Sequence, residues 1–363
     1  MRRLLATALI ALPLAAHAWG PDGHQTVATI AAGLIQGTPT EARVKVLLGD
    51  IPLPLASIWA DCVKGISPAQ NYTYPSPGKY AECAPLETPA RIAEMADYVQ
   101  RNDRQCTMGM AEDACHRQTH YADIALQRSR YLQGFTGTRS DDVVGALRQA
   151  ILVLQGKPAP GQPSFKSQRE ALFVLVHLVG DIHQPLHVGT IYLDAQGRRV
   201  DPDKQGFDTA TFTVGGNSIY IVAATPAAPT PAAPTAATAP ASGSQGTEGP
   251  VGAGFGPIKM HTIWDGVPGR FAPDRVDAAW LAEARRIHRN QGDAVNWPAR
   301  WATQSLEQAG LAYDGLQFSA RQGSHWTVSL PPGYNARAEA IKRKQLTLAG
   351  ARLAFVLKAV FPN

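Results

Sequence analysis

Between positions 171 and 189 the chain reads ALFVLVHLVGDIHQPLHVG. His177 and Asp181 are four apart, so on a helix an imidazole and a carboxylate share one face, a turn apart. Pro185 cannot continue that helix, so the chain must turn near Gln184. His187 then leaves the helix axis and points back at the same place. Two imidazoles and a carboxylate gathered by an apolar segment suit zinc better than a solvated surface. Each residue alone has a plainer reading as a satisfied core or surface group; the cluster outweighs it.

The same chemistry recurs along the chain. His261 and Asp265 repeat the four-residue spacing in KMHTIWDG. His120 stands three residues before Asp123 in HYADI. Asp61 follows the apolar Ile58, Trp59 and Ala60 and is expected at a partly buried helical position. A buried carboxylate needs a cation or several donors, and an ion pair with Lys64 is the plainer reading. His24 opens a helical pattern of Val27, Ile30, Ala31 and Leu34, five residues after Trp19. These groups offer more ligands than one ion needs, since zinc takes about four. Two or three neighbouring ions would use them all. His116 reads as a surface histidine, and His288 and His325 as plain surface or core groups.

The elements that must position these residues are mostly helical by period. Helices are expected near 88–102 with Thr88 as N-cap, 141–155 capped by Ser140, and 167–183 carrying the first motif. Others are expected at 276–288, 297–309 and 337–357, with a short one starting at Thr40 and closed by Gly49. Residues 209–222, with Gly215-Gly216-Asn217 at the centre, read as a β-hairpin. Residues 65–87 form a Pro, Gly and Tyr-rich loop, whose Tyr72, Tyr74 and Tyr80 could stack on bases or simply cover apolar surface. Residues 223–256 are low-complexity Ala, Pro, Thr, Ser and Gly, an insertion flanked by motif residues within one domain.

Hydrophobic residues make up 45% of the 363, enough for a sizeable core. The N-terminus reads as a secretory signal over 1–18: basic Arg2 and Arg3, apolar Leu4 to Leu14, then Ala16-His17-Ala18 before the cleavage point. Cleavage there makes Trp19 the first residue, offering its α-amine and carbonyl as ligands. No later apolar run reaches membrane-spanning length. The formal charge of +5 falls to +3 without Arg2 and Arg3, which permits a polyanionic partner without demanding one. Four cysteines in an exported chain argue for two disulfides. Cys62–Cys83 and Cys106–Cys115 are favoured because both close short loops, and no C-x-x-C pair supports a cysteine zinc site.

W-x-x-x-x-H at Trp19, W-A-D-x-V-K, H-Y-x-D-I, H-L-x-G-D-x-H-Q-P-L-H, G-G-N and H-x-x-W-D occur in this order. In that series the chain resembles the S1/P1 nucleases over nearly all of 19–363, apart from 223–256. The resemblance implies a mainly α, single-domain helical bundle of phospholipase C/P1 nuclease type, with one small β-hairpin and long loops. It implies three Zn2+ per chain. Trp19, His24 and Asp181 would hold one ion, and Asp61, His120 and His177 a second, with Asp181 bridging them. His187, His261 and Asp265 would hold the third. Asp123 and Lys64 match the family's catalytic acid and base-type pair, and His183 would support the ligands without being one.

The implied activity is hydrolysis of phosphodiester bonds in single-stranded DNA and RNA to 5′-phosphoryl products, with 3′-nucleotidase action on nucleotides also in view. The mature protein would be a secreted or periplasmic monomer with no membrane attachment. Gly266 stands where some family members carry an amide that contacts the base, so base preference is open. One rival is a zinc phospholipase C, against which Asp265 and the Trp19-to-His24 spacing argue. The other is a non-catalytic zinc-binding protein, against which Asp123 and Lys64 argue.

Overall fold

The computed structural model describes residues 19–104, 114–222 and 257–362. Among them are α1 (Pro21–Ile35), α2 (Pro39–Leu48), the single turns α3 (Leu53–Ala56) and α4 (Trp59–Cys62), α5 (Pro89–Asp103), the single turn α6 (Cys115–Gln118), α7 (Val143–Leu154) and α8 (Gln168–Asp181). The single turn α9 (Pro202–Gln205), α10 (Met260–Asp265), α11 (Ala278–Arg285), α12 (Trp297–Ala312) and α13 (Tyr334–Val360) follow. The strands are short: β1 (Ile124–Ala125), β2 (Gly189–Thr190), β3 (Ile219–Ile221), β4 (Ile258–Lys259) and β5 (Trp326–Val328). The fold is mainly α, as the resemblance implies. No single helix among the described residues is long and apolar enough to cross a membrane.

α8 is the axis of the bundle. Ser167 caps it by accepting the Glu170 N–H, a contact generally worth about 1 kcal/mol. Every residue from Glu170 to Asp181 is buried, the pattern of a helix apolar on all sides and enclosed by others. α7 packs along it, and α1, α4 and α13 also pack against it. α1 and α13 cross closely because Gly350 has no side chain: a Cβ there would stand 2.5 Å from Ile30. The main core includes Val27, Ile30, Leu172, Val176, Leu346 and Leu353. α8 stops at Asp181, and the chain turns through Gln184 into a 3-10 turn over Pro185–His187, as Pro185 requires.

Several local expectations are corrected. The 141–155 helix is capped by Asp142, not Ser140, because the Asp142 carboxylate accepts the Val144 and Gly145 N–H groups. The helix expected from Thr40 is capped by Thr38, with Gly49 in a positive-φ conformation at its end. Residues 209–222 form no hairpin. Val214, Gly215 and Gly216 all have positive φ and curl the chain, while Phe212 bridges to Tyr192. β3 instead pairs antiparallel with β4 and parallel with β5, so its partners lie beyond the insertion. Cys62 and Cys83 are disulfide-bonded, tying α4 to the Ala81–Leu86 turn. Cys106 lies outside the described residues, as do 1–18 and 223–256, so the second bridge, the signal segment and the insertion are not described. Tyr72, Tyr74 and Tyr80 are buried or packed against the core, covering apolar surface.

Candidate metal centre

Asp181, the last residue of α8, is the hub. Its carboxylate lies 2.8 Å from His120 Nδ1, 3.1 Å from His177 Nε2, 3.5 Å from His24 Nε2 and 3.6 Å from His187 Nδ1. Three sets of side chains bring their ligand atoms within 4.8 Å of one another: His24, His177 and Asp181; Asp61, His120 and His177; and His187, His261 and Asp265. All eight residues are buried. The arrangement differs from the resemblance's partition, because His177 and not Asp181 is common to the first two sets. α1 brings His24, α4 Asp61, α8 His177 and Asp181, the turn after it His187, and α10 His261 and Asp265. His120 is held just before β1, which pairs in parallel with β2 just after His187.

Backbone carbonyls aim the imidazoles. A carbonyl only accepts, so His177 Nδ1–H donates to Ser57 C=O at 2.7 Å, His187 Nδ1–H to His120 C=O at 2.9 Å, and His261 Nδ1–H to Gly215 C=O at 2.6 Å. Each ring therefore turns a lone-pair Nε2 toward the cluster, the usual outer support of a metal-ligating histidine. His24 and His177 stack with centroids 3.8 Å apart. The turn at Gly215 explains itself here: it carries the carbonyl that orients His261.

Several polar atoms at the centre have no hydrogen-bond partner among the described residues. They are both His24 nitrogens, Asp181 Oδ1, His187 Nε2 and Asp265 Oδ2. A buried polar atom left so costs about 1–3 kcal/mol, and five in one spot call for a cation. Protonation states agree with one exception: burial lowers His177, but Asp181 and Asp61 outweigh it and raise the ring above its ordinary value, which a bound cation would reverse. Burial, helped by His177, pushes His24 down to about 4 against the pull of Asp181. Burial takes His120 and His261 down to about 3 and lowers His187. Those rings are neutral near pH 7, as ligands must be. Burial opposes ionisation of Asp61 and Asp181, yet Lys64 beside Asp61 and the histidines around Asp181 hold both below the usual carboxylate range. Burial drives Asp265 well above it, against a hydrogen bond from Gln184; a cation would reverse that. Nitrogen and carboxylate donors in this state fit zinc.

The remaining expected residues lie around this core. Trp19 is fully buried and its indole N–H donates to Gly180 C=O at 2.9 Å, one residue from Asp181. Lys64 Nζ pairs with Asp61 at 2.5 Å. Its ammonium is held charged against burial by Asp61, Asp181 and Asp265, so it stands within electrostatic reach of all three sets. Asp123 belongs to none of the sets; it lines a small cleft with Tyr121, Arg139 and Phe212. Burial raises its carboxyl to about 7, with Arg139 opposing. His183 is buried, donating from Nδ1 to Val179 C=O and accepting from Arg352 at Nε2. His116 is not a surface residue: it is buried, with Nδ1 2.8 Å from Asp103 Oδ1 at the end of α5. Gln184, which sequence reasoning used only to mark the turn, donates to Asp265 Oδ1 at 2.7 Å and accepts the Leu186 N–H.

A profile of the S1/P1 Nuclease family matches residues 19–224. The chain belongs to that family. It is 28% identical to Endonuclease 2 of Arabidopsis thaliana over 175 residues, covering 47% of this chain and 46% of the relative. It is 26% identical to Nuclease S1 of Aspergillus oryzae over 219 residues, 58% of each. The chain thus spans about half the length of the curated relatives it matches. The family match stops where the low-complexity segment begins, so His261 and Asp265 lie beyond it.

Proposed function

We propose that this protein is an exported, zinc-dependent endonuclease that cleaves single-stranded DNA and RNA to 5′-phosphoryl products, with 3′-nucleotidase activity on the same site. The observation that carries this reading is the gathering of eight buried imidazoles and carboxylates, Asp181 among them, into three adjoining sets, several with orphaned ligand atoms. His24 and Asp181, with the amine and carbonyl of Trp19, would hold one Zn2+; Asp61, His120 and His177 a second, Asp181 being shared. His187, His261 and Asp265 would hold a third. Bound zinc supplies Lewis acidity, neutralising phosphate charge and lowering the pKa of water to about 7.

The chain's own groups divide the rest of the work. Asp123, raised to about 7 by burial, accepts a hydrogen bond from the attacking water at its carboxylate and takes its proton near neutrality. Lys64 Nζ, bonded to Asp61, faces the phosphate and offsets its charge. A pocket that stacks an unpaired base beside the cluster favours single strands, because a duplex does not release its bases. Residues 1–18 act as the signal, cut between Ala18 and Trp19, and the mature protein is a secreted or periplasmic monomer.

Digestion of single-stranded and duplex DNA by the cleaved protein, beside phosphatidylcholine, tests this. Single strands should be cut fastest, Asp123→Ala should lose at least a hundredfold with its zinc retained, and the lipid should be untouched. Hydrolysis of the lipid in preference to nucleic acid would replace the reading.

A further inference from the structure

α10 carries two members of the third set but is only six residues long, too short to hold its shape alone. Its end is fixed from outside. Gln184 bonds the Asp265 carboxylate, and the Gly20 N–H donates to Asp265 C=O at 2.8 Å. The third contact comes from α13. Lys342 Nζ donates to Ile263 C=O at 2.6 Å and to Gly266 C=O at 2.7 Å. It also lies 5.8 Å from the Trp264 ring centre. Lys342 is only 5% exposed and forms no salt bridge with a carboxylate among the described residues. A buried ammonium is costly, and this one spends two donors on carbonyls that flank Asp265 in the chain. Trp264 is anchored in turn, its indole N–H donating to Tyr334 OH, which donates to Ala312 C=O.

We propose that Lys342 is a positioning residue for the third metal set: it clamps the C-terminal end of α10 so that Asp265 and His261 meet His187. The inference rests on the zinc reading above. Its consequence is selective, because neither of the other sets draws a ligand from α10.

Zinc release is measured by chelator competition on the cleaved protein, for wild type, Lys342→Met and Lys342→Arg, with melting of the zinc-stripped forms alongside. Lys342→Met should give up one zinc at a chelator concentration at least tenfold lower than wild type, with the other two unchanged. Lys342→Arg, which keeps charge and donors, should recover most of the difference. Equal weakening of all three ions, tracking a lower melting temperature of the stripped protein, would show a merely structural lysine and overturn the proposal. Three zincs of unchanged affinity in Lys342→Met would overturn it while leaving the zinc reading intact. A wild type lacking a third zinc would overturn both. Should Lys342→Met fail to fold, Lys342→Gln, which keeps a donor without the charge, is read by the same criteria.

Discussion

Gly180 lies flat against His24: a Cβ at Gly180 would stand 2.6 Å from His24 Nδ1. The glycine sits inside α8, where alanine would ordinarily stabilise by about 1 kcal/mol. Here the gain is set against a displaced ligand. Gly180→Ala is expected to lower activity at least tenfold and weaken one zinc. Gly310→Ala, in α12 with open space around its Cβ, should leave activity unchanged and raise the melting temperature slightly. Parallel assays and melts of the two variants check this. Full activity in Gly180→Ala would mean that His24 is not a ligand.

The N-terminus offers a second test. Trp19 is buried one residue from the Gly20 N–H that bonds Asp265. A protein that retains Ala18 has an amide in place of the α-amine. It is expected to bind one zinc fewer and lose most of its activity. Metal content of the extended and cleaved forms decides it.

Asp123 gives a pH dependence of defined sign. Its folded carboxyl titrates near 7 because of burial, against Arg139, while its ordinary value is 3.8. Between those values the unfolded chain has released a proton that the folded one keeps, so this group's stabilising share is present below about pH 4 and is lost as pH rises to 7. Zinc-stripped Asp123→Asn should therefore match wild type near pH 4 and melt progressively higher than wild type up to pH 7, with a constant gap beyond. Melting curves across that range suffice. A gap that does not change with pH would place Asp123 in a polar setting.

The Cys62–Cys83 bridge closes 21 residues, a span for which chain entropy gives about 3 kcal/mol. Cys62 follows Asp61 directly. Replacing both cysteines by alanine should lower the melting temperature by several degrees and weaken the zinc that Asp61 helps to hold. Melting and chelator competition on the double variant measure both effects.

The centre was legible in the sequence because its ligands come in short motifs with helical spacing. His177 and Asp181, and His261 and Asp265, each sit one turn apart on a helix that the apolar pattern announces. Pro185 marked the turn that returns His187. The supports were not legible. Ser57, His120 and Gly215 orient histidines through backbone carbonyls, which carry no side-chain signal, and Lys342 reaches α10 from 76 residues beyond Gly266. The 209–222 segment was misread because alternation there reflects a curl stabilised by Gly215 and Gly216, with the strand partners supplied from 258–259 and 326–328. His116 was misjudged for the same kind of reason: its carboxylate partner, Asp103, is thirteen residues away.

The central claim is that His24, Asp61, His120, His177, Asp181, His187, His261 and Asp265 surround three zinc ions. Anomalous scattering at the zinc edge from crystals of the cleaved protein tests it directly. Three peaks are expected, each within about 2.3 Å of ligand atoms from one of the three sets. A single peak, or peaks away from Asp181, would contradict it.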